Sequence, residues 1–153
     1  MPRFRFRLEA SLQLAEQNLE IAQREFAHEM QLWQACVRAC ASQQDRYKDA
    51  QEGQRVAGKH RPAELGSWQI FALEQRKRLI DRQRELMQQE AVMESARQVL
   101  LEAHRDTEKF QRLKEKQAAA FQVEELQKEQ KGLDETGQVL HWHRQNLANL
   151  ATK

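Results

Sequence analysis

Glycine, proline and aromatic residues are all scarce, with five glycines, two prolines and only 7% Phe, Trp and Tyr in 153 residues. Few positions can therefore interrupt a helix, and the rest is dominated by Gln, Ala, Leu and Glu, which lose little rotamer freedom in one. Mean hydropathy is strongly negative at -0.91 and charged residues reach 31%. That composition also suits disorder, but the aliphatic residues recur too regularly for it. No apolar run approaches the ~20 residues needed to span a bilayer, so no integral membrane segment is expected. Arg5 and Arg7 interrupt Phe4, Phe6 and Leu8, which excludes a signal-peptide core and places the expected location in the cytoplasm. A strong excess of one charge is missing as well. The formal net charge is +2, too small to pull the whole chain onto nucleic acid or anionic lipid. Arg3, Arg5 and Arg7 form a local exception, yet the cluster is short and has no basic face beside it, so an acidic protein surface or plain solvation is the better reading.

Site chemistry is equally thin. Cys36 and Cys40 lie four apart on one helical face, where a disulfide would be strained, and they read as reduced thiols in a helical seam. No His or second cysteine pair stands at ligand spacing from them. His141 and His143, two apart, face different ways on a helix. No glycine-rich phosphate loop is present, and two paired helices offer no concavity in which catalytic groups could converge. The expectation is a non-enzymatic protein without cofactor or metal.

Periodicity is what the sequence has in abundance. Phe4, Leu8, Leu12, Ala15, Leu19, Ala22, Phe26, Met30, Trp33, Val37, Cys40 and Tyr47 follow one another mostly in steps of three and four. Runs of four-residue steps depart from strict heptads and would locally unwind a supercoil. Gly53, Gly58, Pro62 and Gly66 then cluster, marking a turn. Ser67 is a candidate N-cap for a second helix, with Pro62 in the first turn of an earlier start as the alternative. Beyond it Leu79, Leu86, Met93 and Leu100 recur every seven residues, flanked by Leu73, Ile80, Met87 and Leu101, a broad apolar face. It continues through Phe110, Leu113, Ala120, Phe121, Leu126, Leu133 and Leu140, although Gly132 and Gly137 each cost about 1 kcal/mol relative to alanine. Glu20 with Arg24, Glu74 with Arg78 and Glu108 with Arg112 supply four-residue ion pairs on solvated faces.

The expected architecture is all-α: one antiparallel coiled-coil hairpin over residues 1–153, with helix one at about 4–57, a turn at about 58–66 and helix two at about 67–148. The arms differ, at ~80 Å and ~120 Å for ~1.5 Å per residue. Pairing from the turn exhausts helix one opposite about Ala120. Phe121, Val123, Leu126, Leu133, Val139, Leu140 and Trp142 are left over, to be covered by a partner, a second copy of the chain or a fold-back at Gly132 and Gly137.

Two blocks then carry a family resemblance. The first is Phe4-Arg5-Phe6-Arg7-Leu8 followed by Leu12. The second is Glu108-Lys109-Phe110-Gln111-Arg112-Leu113-Lys114-Glu115-Lys116, then Glu124-Glu125, Glu129-Gln130-Lys131 and Leu133-Asp134-Glu135. Together they resemble the FliJ family of the flagellar type III protein export apparatus. The resemblance implies a stalk similar to the two-helix coiled coil of the ATP synthase gamma subunit. Its partners would be the hexameric export ATPase FliI, the export gate protein FlhA and export chaperones, and it would sit peripherally at the inner membrane through the apparatus. The uncovered overhang adds weak self-association as an expectation, and the charge balance leaves nucleic acid out. Carried over, Phe110, Leu113, Glu124, Glu125, Glu129, Gln130, Leu133, Asp134 and Glu135 would face the ATPase, with Phe121, Arg3, Arg5 and Arg7 nearby. Tyr47, Trp68 and Phe71 at the tip would face the gate. The flanking Cys36, Cys40 and Gln43 stand where further apolar residues would be expected. A YscO-like stalk of a virulence injectisome, or a structural coiled coil dimerising through its overhang, remains the alternative.

Overall fold

A computed structural model describes residues 2–152. Two helices fill most of them: α1 over Glu9–His60 and α2 over Leu65–Ala151, joined by a single 3-10 turn at Pro62–Glu64. The helices pack against each other as an all-α hairpin whose second helix is the longer, 87 residues against 52.

The turn is made by proline rather than by glycine. Arg61, preceding Pro62, is out of helical geometry at φ -141, ψ 68, as expected where the proline ring disfavours the α region for its predecessor. Pro62 then opens the 3-10 turn, Glu64 N donates to Arg61 O at 3.0 Å, and Leu65 already begins α2. Ser67 accordingly lies inside α2 and caps nothing, and the connection is shorter than the expected 58–66. No described glycine has positive φ; Gly53 and Gly58 lie within α1 and Gly66 within α2.

The chain divides into two compact units, residues 15–106 and the pair 1–14 with 107–153. In the first, cross-helix contacts run antiparallel. Gln43 meets Gln75, Trp33 meets Glu90, and Glu29 meets Gln89. With only two layers, few large side chains can be surrounded. The positions fully covered are therefore mostly small: Ala15, Ala22, Ala50, Ala57 and Ala72. Leu19, Phe26, Trp33, Cys36, Cys40, Leu79, Leu86, Met93 and Leu100 lie half-buried along the seam. Of the two apolar stripes expected on helix two, this inner one enters the seam, whereas Leu73, Ile80 and Met87 stay exposed.

Two polar layers interrupt the seam. Gln43 Nε2 donates to Gln75 Oε1 at 2.7 Å and to its carbonyl at 3.1 Å, with both residues buried. Gln89 Nε2 donates to Glu29 Oε2 at 2.6 Å. An amide paired with an amide or a carboxylate inside an apolar seam fixes register, because any slip leaves both without partners. Gln43 thus stands where an apolar residue would bury more surface but specify less. The ion pairs expected on the outer faces form, at 3.8 Å for Glu20–Arg24 and 2.7 Å for both Glu74–Arg78 and Glu108–Arg112. Each is exposed and contributes a few tenths of a kcal/mol at most.

Candidate partner-binding surfaces

In the unit of residues 1–14 and 107–153, helix one does not begin at residue 4 as expected. Residues 2–6 carry no helix and α1 starts at Glu9. The reason lies in the residues themselves: Arg3-Phe4-Arg5-Phe6-Arg7-Leu8 alternates charged and apolar with period two, the period of extended backbone. Phe6 is buried, Phe4 half-buried, and the three arginines are exposed. Phe4 stacks at a tilt on Phe121, ring centroids 5.7 Å apart, while Lys114 reaches Glu9 at 2.9 Å. Extended chain rises ~3.3 Å per residue, against ~1.5 Å in a helix. From Glu9 back to Phe4 five residues run against seven of α2, Lys114 to Phe121, more than the five that helix against helix would cover. α1 itself thus runs out beside Lys114 rather than near Ala120 as expected, and the non-helical opening segment supplies the rest of the cover.

Phe110, Leu113 and Phe121 are half-buried, Phe121 against Phe4. Glu124, Glu129, Gln130, Leu133, Asp134 and Glu135 are exposed on the bare continuation of α2. Glu125 is half-buried and paired with Lys128 at 3.4 Å, and Gln130 donates to Asp134 at 3.3 Å. The structure thus brings the predicted ATPase-facing residues into one unit, though not into one patch, since the arginines and the acidic run occupy different stretches of it. The fold-back at Gly132 and Gly137 does not occur. α2 runs unbroken through both, and Thr136 Oγ1 donates to the Gly132 carbonyl at 2.9 Å. Beyond Phe121 the large apolar residues stand in the open: Leu126 is 65% exposed, Leu133 68%, Leu140 55% and Trp142 59%.

Near the turn, in the other unit, Trp68 and Phe71 meet edge-to-face with centroids 5.9 Å apart. Tyr47 does not join them. It lines a separate shallow groove of about 320 Å³ with Gln51, Leu73 and Arg76. The indole of Trp68 lies directly on Gly53: a Cβ built there would come within 2.6 Å of three ring carbons. Gly53 is therefore a contact glycine, and the sequence signal for it, a helix breaker opposite a tryptophan across a turn, is visible only once register is known.

Shifted acidities occur on exposed pairs. A hydrogen bond from Arg55 holds Glu52 below the ordinary carboxylate range, and one from Gln98 does the same for Glu94. Cys36 and Cys40 are free thiols. Among the described residues no group of three or more His, Cys, Asp or Glu is placed to hold a metal, and no helix is long and apolar enough to cross a membrane.

A long two-helix hairpin with an uncovered second arm fits many coiled-coil proteins, so the comparison with known families decides. The flagellar FliJ protein family matches residues 4–146. The chain belongs to that family. FliJ proteins are structural components of the flagellar type III export apparatus, a role that suits a molecule whose conspicuous features are surfaces. The match takes in the alternating opening of this FliJ-family chain, its turn and most of the bare arm of α2. No curated protein and no solved structure matches the chain.

Proposed function

We propose that this FliJ-family chain is the stalk that engages the export ATPase FliI through the unit holding both termini, promotes assembly of its hexamer, and links it to the export gate FlhA through the tip. The observation that carries the reading is the bare arm. From Val123 to Leu150 the apolar side chains of α2 are more than half exposed while the helix stays continuous. A helix bearing large apolar groups in water is costly unless something covers it. Five acidic residues between Glu124 and Glu135 on that arm, and Arg3, Arg5 and Arg7 exposed on the opening segment of the same unit, offer charged contacts that hold without interdigitating. Handling of export chaperones and a peripheral position at the inner membrane belong to the same reading. Exposed Leu73, Ile80 and Met87 supply a second apolar strip on which a helical chaperone could dock.

Hydrogen exchange on the chain mixed with its cognate FliI tests the proposal. Amides of residues 122–151 are expected to exchange rapidly in the free chain at low concentration and to slow by about tenfold or more in the complex, as solvent-exposed turns do when covered. Protection confined to residues 15–106, or absent everywhere, would refute the assignment.

A further inference from the structure

The bare arm carries a regularity finer than general apolarity. Leu126, Leu133, Leu140 and Leu147 recur at intervals of seven, and each is more than half exposed. An unbroken seven-residue leucine repeat on an α-helix is a seam for a second helix winding left-handedly around it. Charge along the same arm is divided. Glu124, Glu125, Glu129, Asp134 and Glu135 outnumber Lys128 and Lys131 in its first half. The second half, from Thr136 onward, has no acidic residue and carries Arg144 and Lys153. The boundary, between Glu135 and Thr136, lies within a residue of the midpoint of the leucine stripe, which falls between Thr136 and Gly137. Gly137 adjoins that midpoint and Gly132 lies about a turn before it, and a Cβ at either would meet nothing within 4 Å. Nothing within the chain requires glycine there, whereas two helices crossing closely would.

A helix patterned in this way is complementary to its own reverse. Turned end for end, a second arm sets leucine against leucine at all four layers and basic half against acidic half. Laid parallel, it sets acid against acid. We infer that a second copy of this chain covers the leucine stripe, the two arms pairing antiparallel about residues 136 and 137. If the same arm enters the FliI ring, a clause that rests on the function proposed above, self-pairing withholds it until the ATPase displaces the other copy.

Sedimentation equilibrium of the full chain is expected to show a dimer with a micromolar dissociation constant, weakening severalfold between low and high salt as the charge contacts are screened. Leu133→Glu with Leu140→Glu, both at exposed positions, is expected to leave the chain monomeric with unchanged helicity. Orientation is read by spin labels on Gln127→Cys in a Cys36→Ala, Cys40→Ala chain. Antiparallel pairing separates the two labels by 19 residues of rise, about 30 Å, whereas parallel pairing brings them within about 10–15 Å. A chain monomeric at about 100 µM, well above a micromolar constant, or a short label distance, would overturn the inference. A monomer that still protects its arm with FliI would do so while leaving the ATPase reading intact. A dimer whose arm FliI leaves unprotected would uphold the pairing and remove the ATPase reading instead.

Discussion

A chain truncated after Phe121 is expected to lose the export ATPase while keeping its hairpin. The cut falls just beyond the Phe4–Phe121 ring contact, so the cover laid by the opening segment stays in place, as does the Lys114–Glu9 ion pair. What leaves is about a third of α2, almost all of it exposed. Stability depends on buried surface, so the midpoint of thermal unfolding should change by only a few degrees, and the helical signal should fall in proportion to the residues removed. Binding should respond very differently. If the arm is the gripping element, affinity for FliI falls by about a hundredfold or more, the scale of losing several anchoring side chains at once. Binding measured by titration alongside circular dichroism separates the outcomes, and a truncated chain that still promotes FliI assembly contradicts the stalk reading.

Replacing Trp68 and Phe71 together by alanine is expected to weaken the gate contact by about tenfold or more and to spare the ATPase contact, because the pair lies in the tip unit. Trp68 also packs on Gly53, so the double variant should lose stability as well, by about 1–3 kcal/mol for a half-buried indole. Two controls divide packing from recognition. Phe71→Ala alone, at a residue 42% exposed, should cost little stability. Gly53→Ala would ordinarily gain about 1 kcal/mol in a helix, but here its methyl collides with the indole, so the gain should appear only once Trp68 is alanine. Chemical denaturation of the four chains in that cycle reads the reversal directly. Equal loss of gate and ATPase binding in the Trp68, Phe71 variant would mean that the tip holds the fold rather than a partner.

Much of this architecture is legible from spacing alone. Steps of three and four announce both helices, and the breaker cluster places the turn within a few residues. The opening went differently because Phe4, Leu8 and Leu12 fit a helical face, while Phe4, Phe6 and Leu8 fit an extended one equally well. Alternation with Arg3, Arg5 and Arg7 was the deciding signal, and the unpaired stretch of α2 opposite is what made extension worthwhile. Glycine in a helical pattern signals a conformational break, yet Gly53 serves a close approach of Trp68, a long-range fact that local sequence does not carry. The seven-residue spacing of Leu126, Leu133, Leu140 and Leu147 was in plain sight. Its weight came only from the structure, which shows all four side chains uncovered on an unbroken helix. Tyr47 shows the converse limit: proximity to the turn in sequence did not place it on the same groove as Trp68 and Phe71.

Electron microscopy of purified chain mixed with FliI and nucleotide tests the central claim most directly. The account predicts hexameric rings whose central openings are filled by a helical density, and rings left empty when residues 122–153 are missing. Filled rings with the truncated chain, or full-length chain bound only at the ring's outer rim, would contradict it.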